Sequence, residues 1–332
     1  MKPIGIALLV ALAATAAQPT VLGIDGARFT VDGAPTFLLG ISYYGALGAE
    51  EKVLLSDLQA LKAHGLNWIR VWATWNAFGN DVSAVDAAGD GREPYLSRLR
   101  WLVARCDELG MIVDVSLSHG LRSEAGTLLA DFSSHSRAVV TVVEALRGHR
   151  NWYLDLANER NVGDSRFVSL DDIGRLRRIA GELAPELPVT ASSGGEIGED
   201  ELGRYLRVAR VDFIAPHRPR HRGTAEETKR ETRRYLKQTE QAGRPVPVHY
   251  QEPFRRGYGD WEPVAEDFLA DLQAAVASGA AGWCLHNGDN KRDEGGRPRR
   301  SFDLREGPLL AQLDAEETAV VAAMAQVVAG AR

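Results

Sequence analysis

Glu159 and Glu252 are the residues of this chain best placed to do chemistry. Glu159 ends the run Leu154-Asp155-Leu156-Ala157-Asn158-Glu159, and Glu252 ends Pro247-Val248-His249-Tyr250-Gln251-Glu252. In each, an apolar run finishes in a polar tip, as where a buried strand emerges at its C-terminal end. If both strands belong to one closed sheet, the carboxylates face each other across its mouth. Such a pair can cleave a glycosidic bond, one group giving a proton while the other attacks the sugar. The plainer alternative is two surface carboxylates held in salt bridges.

The elements that must position them follow an alternating pattern. Strand-like runs occur at Phe37–Ile41, Asn67–Trp72, Met111–Val115, Trp152–Leu156, Pro188–Ala191, Val211–Ala215, Pro247–Tyr250 and Ala281–Leu285. Helical patterns separate them: Glu50–His64, Tyr95–Leu109, Ser136–Leu146, Leu170–Leu183, Ala225–Ala242 and Pro263–Ala277. Leu54, Leu58 and Leu61 share one face of the first helix, and Gly65 and Gly110 stand where helix ends want glycine. A hairpin with its turn at Asp32-Gly33 precedes the first strand and is expected to plug the barrel bottom. The Ala-rich stretch Asp314–Val328 reads as an outer helix. Strands alternating with helices imply a parallel sheet with covered faces. Eight units predict closure into an α/β fold of the (β/α)8 barrel type, as one domain over 18–332. No Gly-x-Gly-x-x-Gly follows the first strand, which argues against a dinucleotide-binding sheet.

In such a barrel the active site lies at the C-terminal ends of the strands. Strand one runs into Ser42-Tyr43-Tyr44, strand two carries Arg70 with Trp72, and strand three ends near His119. Strand four ends at Asn158-Glu159, strand six at His217, strand seven at Tyr250 and Glu252, and strand eight at Trp283 to His286. This set resembles the glycoside hydrolase clan that uses the barrel, closest to its family 5 cellulase and mannanase group. The resemblance spans about residues 24–305. It implies Glu159 as general acid/base, Glu252 as nucleophile, Arg70 positioning the nucleophile, His217 in the cleft and Trp283 as a platform for the sugar. Asn158 is expected to contact the sugar's 2-hydroxyl. There are departures. The family's His-x-Tyr at strand six reads His217-Arg218-Pro219 here, so Tyr250 or Tyr43 is expected to hold Glu252 instead. Arg160 follows the acid/base where proline is usual, and Pro253 follows the nucleophile.

Other readings stay open at several positions. Arg70 could be a structural partner of Asp114 or Asp155. His119, His217, His249 and His286 could be metal ligands, but the resemblance implies no cofactor and no metal. The run Arg218-Pro219-Arg220-His221-Arg222 is either a solvated loop, the usual fate of charge runs, or a binder of an acidic sugar.

Composition bounds the rest. The 332 residues carry a net charge of −6, with basic residues scattered among acidic ones, so no nucleic-acid partner is indicated. Lys2, the apolar run Ile4–Ala14 and the small residues Thr15-Ala16-Ala17 read as a signal peptide over 1–17, and hence as a secreted or periplasmic protein. That run is too short for a membrane span. Cys106 and Cys284 are expected to be buried free thiols. Together these readings predict an exported retaining β-glycosidase acting on an oligo- or polysaccharide, with the carboxyl groups ~5–5.5 Å apart. A carbohydrate-binding barrel without catalysis and a transglycosylase are the alternatives.

Overall fold

The computed structural model describes residues 18–331, apart from 119–128, 130, 164–166, 259–260, 287–288, 293–297 and 300. The predicted leader over 1–17 and His119 therefore lie outside the described residues. Seven parallel strands form one curled sheet in the spatial order five-four-three-two-one-eight-seven. They are Val189–Thr190, Trp152–Asp155, Ile112–Ser116, Trp68–Trp72, Leu38–Ser42, Gly282–Leu285 and His249–Tyr250. Each lies within or overlaps its predicted run. The sixth run does not form a continuous strand. It spans the remaining gap through isolated parallel bridges, Ser193 to Pro216 and Ile214 to Val248. Strands five and seven offer two residues each, so little ladder is available there. The amide of Asp212 still reaches Val189 O at 2.8 Å, and that of Ile214 reaches Pro247 O at 3.0 Å, closing the (β/α)8 barrel.

Helices lie where the apolar spacing put them. Leu54, Leu58 and Leu61 are buried on the first, Glu51–Ala63. The helix expected from Ser136 begins earlier, at Phe132, because Asp131 caps it: its carboxylate accepts from the Ser134 amide at 2.8 Å, and Ser134 Oγ reciprocates. Serine replaces the usual Glu or Gln at the third position, which hides the start from a motif reading. The helix Ala315–Gly330 packs outside on Ala265–Ser278. None of the helices among the described residues is long and apolar enough to cross a membrane.

Side-chain parity divides the barrel strands into two layers. Leu39, Ile69, Val113, Leu154 and Leu285 face outward into the main core beneath the helices. Leu38, Trp68, Ile112, Tyr153 and Cys284 face inward to a second cluster at the barrel bottom. Cys106 belongs to the outer layer and Cys284 to the inner, so the two buried thiols are unpaired. Gly40 and Gly282 make room inside: a Cβ would meet Trp68 O at 2.2 Å in one case and His249 Nδ1 at 2.3 Å in the other.

The bottom is plugged from the N-terminus, as the hairpin reading expected. The plug is a three-stranded antiparallel sheet, Leu22–Asp25, Arg28–Val31 and Ala34–Thr36. Its second turn places both Asp32 (φ 52°) and Gly33 (φ 79°) in the left-handed region, as a two-residue hairpin turn requires. Phe29 is fully buried, with ring centroids 5.0 Å from Phe213, 5.5 Å from His249 and 6.4 Å from Tyr153. Phe29→Ala should lower unfolding free energy by about 3–5 kcal/mol, measured by urea titration, because the closed floor cannot collapse onto the void.

His249 gives a second test. Burial, helped by Arg70, pushes its pKa from 6.5 down to about 3. Between those values the unfolded chain holds a proton that the folded chain lacks, so stability must fall as pH drops through that window. The melting midpoint should decline with acid below pH 6.5, and less steeply in His249→Gln.

Candidate active site

The inward layer becomes polar toward the C-terminal ends of the strands, and Arg70 is at its centre. The residue is fully buried on strand two. Its Nε donates to Asp114 Oδ2 at 3.0 Å and its NH2 group to Asp155 Oδ2 at 2.9 Å, while NH1 reaches Glu252 Oε1 at 2.5 Å. Arg70 is thus partner to both aspartates and to the candidate nucleophile at once. Three carboxylates against one guanidinium leave an excess of negative charge. Burial, opposed by Arg70 and aided by Asp155, lifts Asp114 to about 7, so Asp114 can hold a proton. Tyr153 and Gln251 also donate to Asp114, at 3.0 and 2.7 Å.

Glu252 sits above this layer, almost wholly buried. Its Oε1 also accepts from Tyr44 at 2.8 Å, and Oε2 accepts from Arg220 NH2 at 2.9 Å. His217 Nδ1 and His286 Nδ1 lie 3.4 and 3.5 Å from Oε2. Burial alone would raise its pKa, but His217, His286, Arg70 and Arg220 together hold it well below the ordinary carboxylate range. Glu252 is therefore ionised at neutral pH.

Two expectations about its support are corrected. Tyr43 faces outward and donates to Asp57 at 2.8 Å on the first helix. Tyr250 also faces outward, its hydroxyl 2.7 Å from that of Thr232 on the helix Thr224–Gln241. Tyr44, one residue on and of opposite parity, takes the role. Arg220 supplies the second contact that Pro219 leaves missing.

Glu159 lies across the mouth at the end of strand four, in the left-handed region at φ 48°. A non-glycine residue there stores strain that the surroundings must hold. Ser192 Oγ accepts from the Glu159 amide at 3.1 Å, and Arg160 is locked beneath by Tyr205 and Val168 O at 2.9 and 3.0 Å and by Glu201. Arg160 thus anchors the turn where proline was expected. The Glu159 carboxylate lies 3.3 Å from His217 Nδ1 and 3.9 Å from Arg220 NH2. One oxygen of Glu159, one of Glu252 and a ring nitrogen of His217 lie within 4.8 Å of one another. Burial and Glu252 push the Glu159 pKa up, but the His217 hydrogen bond and Arg220 outweigh them and bring it to about 2. The glutamate pair alone would have kept Glu159 protonated; the surrounding cations reverse that balance. The same three residues could geometrically surround a metal ion, but Arg70 and Arg220 already neutralise Glu252, and a further cation would sit against both.

Asn158 lines the same cleft. Its Oδ1 accepts from Arg70 NH2 at 2.9 Å, so its Nδ2 is left facing other partners. Trp283 does not line the cleft: it faces outward and donates to Asp271 at 2.7 Å on the helix Ala265–Ser278. Strand eight contributes His286 instead, and the aromatic walls are Tyr44, Trp72 and Tyr258. The cleft holds about 490 Å³, enough for one or two sugar rings. The basic run is solvated only at His221 and Arg222. Arg218 is buried, held by Thr228, Thr224 O and Glu196, and Arg220 reaches the carboxylates.

No family model matches the chain, and no curated protein matches it. Solved structures do. A mutant of the Glycoside Hydrolase Family 5 mannosidase from Rhizomucor miehei matches with a TM-score of 0.65 at 12% identity, covering 94% of this chain and 98% of that one. The endo-1,4-beta-mannanase from the same organism matches at 0.64 and 13%, covering 93% and 99%. The mannanase catalytic domain from Streptomyces sp. SirexAA-E matches at 0.61 and 14%, covering 99% and 97%. The chain therefore has the fold of the family 5 glycoside hydrolases from end to end of its barrel, as the strand-end residues had suggested.

Proposed function

We propose that the protein is a retaining β-glycoside hydrolase of oligo- or polysaccharides, exported by a leader over 1–17, with 18–332 as its catalytic domain. The observation that carries this reading is the Glu159–Glu252 pair, with carboxylate oxygens within 4.8 Å of each other. Retaining pairs stand ~5–5.5 Å apart, and inverting pairs ~6.5–9.5 Å. Glu252, ionised and held by Arg70 and Tyr44, attacks the anomeric carbon and forms a glycosyl-enzyme. Glu159 protonates the departing oxygen, then takes the proton of the incoming water. Its acid role requires the sugar to break the His217 hydrogen bond, the strongest of the contacts now holding Glu159 ionised, as well as the more distant Arg220 contact. Glycosylation of Glu252 then removes the neighbouring negative charge and favours ionised Glu159, as the base role needs. Asn158, with its Oδ1 fixed by Arg70, presents its amide to the sugar, and Trp72 and Tyr44 offer apolar faces.

Two sets of variants test the assignment. Glu252→Ala should abolish turnover of aryl β-glycosides whatever the leaving group. Glu159→Ala should lose about 10²–10⁴-fold on poor leaving groups, spare good ones, and form a β-glycosyl azide when azide is added. The structural relatives make aryl β-mannosides a sensible first series. Identical responses of the two variants would overturn the roles, and inactivity of the wild type on every glycoside would leave a carbohydrate-binding barrel. Arg70→Met should raise the Glu252 pKa and move the acid limb of the pH–rate profile upward. It should also cost about 3–5 kcal/mol in urea unfolding, since it strands buried carboxylates.

A further inference from the structure

The cleft is cationic in a chain whose net charge is −6. Among the described residues, Glu159 and Glu252 are the only acidic side chains that line it, against the guanidinium groups of Arg218, Arg220 and Arg255, while burial holds His286 uncharged. Arg218 is committed to Glu196, Thr228 and Thr224. Arg220 is not. Its NH2 group donates to Glu252 Oε2 at 2.9 Å, and among the described residues that is its single hydrogen bond. Nε and NH1 of its fork have no partner there. Its guanidinium is carried on the ring of Tyr258 at 4.6 Å, and Arg255 lies over the same ring at 5.2 Å. His217 Nε2 and His286 Nε2 are buried in the cleft wall without a hydrogen bond among the described residues, while His286 Nδ1 stands 3.5 Å from Glu252 Oε2. Guanidinium groups at the cleft, with no acid beyond the reacting pair among the described residues, describe a site for an anionic oxygen group.

We propose that the cleft takes a sugar bearing a carboxylate, a uronic acid residue, and that Arg220 is the specificity-determining residue that pairs with it. The proposal rests on the cleft being the sugar site of the hydrolase. Its logic is an exchange of partners. In the free protein Arg220 covers Glu252 Oε2. A neutral sugar that enters must break this pair and leave a half-buried guanidinium with nothing in return. A uronate offers a second carboxylate to the open fork, in the paired geometry that suits guanidinium. Arg220 then swings from the protein's carboxylate to the ligand's, and Glu252 is uncovered for attack.

The test is calorimetric titration of the wild type, Arg220→Met and Arg220→Gln with a uronic acid trisaccharide, its methyl ester, and mannotriose. The wild type should bind the uronate roughly 10- to 100-fold tighter than either uncharged ligand, the range expected of a charge-assisted pair. Both variants should bring that ratio close to one, whatever they do to the absolute affinities. Equal affinity for the acid and its ester in the wild type overturns the proposal, with no variant needed, as does an undiminished ratio in a folded variant. Turnover of aryl β-mannosides and aryl β-uronides is followed separately. Uronate preference without turnover of either keeps the anion site and refutes the hydrolase. Turnover of the neutral series with no preference keeps the hydrolase and refutes the anion site.

Discussion

A single guanidinium holds the upper half of this barrel together. Arg70 is surrounded by Asp114, Asp155 and Glu252 from strands three, four and seven, and it has no exposed surface. Each of these charges would be costly to bury alone. Together they are tolerable because every donor of Arg70 meets an acceptor, and Tyr153, Gln251 and Ser116 satisfy what remains of Asp114. The layer is also the floor on which Glu252 stands, so the position of this carboxylate is inherited from the packing of four strands rather than from its own loop.

The strain at Glu159 fits the same scheme. A left-handed φ at a non-glycine residue persists only where neighbours over-determine it. Here Ser192 grips the backbone, and the buried Arg160 fork ties the turn to Tyr205 and Glu201. One carboxylate is thus fixed from below by a charge cluster and the other from behind by an arginine clamp. The shared contacts with His217 and Arg220 lie between them.

Much of this was legible in the sequence, and the residues assigned to the wrong face share one cause. The alternation of apolar strands and helices carries the barrel, and the polar tips carry Glu159, Glu252, Arg70 and His217 to one rim. What the tips do not carry is which of two adjacent residues faces inward. Tyr43 and Tyr44 differ by one position and point to opposite layers, as do Trp283 and its inward neighbours Gly282 and Cys284. Counting by twos along each strand from its buried inward residue, Leu38 on strand one and Cys284 on strand eight, would have selected Tyr44 and His286 over Tyr43 and Trp283. The counting fails only past the last ladder bond, where Gln251 and Glu252 both turn inward. Arg220 was legible only as one of two readings of its basic run, because its reach depends on the path of a loop. The proton balance of Glu159 was equally hidden, since it depends on that arginine.

The plug at the barrel floor has a consequence for how the chain is made. Phe29 precedes in the chain the rings it rests against, Phe213 and His249, which belong to strands six and seven. Strands six and seven must therefore be synthesised before the plug finds all of its native neighbours. Contacts of such long sequence separation slow folding, because chain closure must precede the gain from packing. Until then the apolar plug lacks the rings that cover it, and the barrel floor is open.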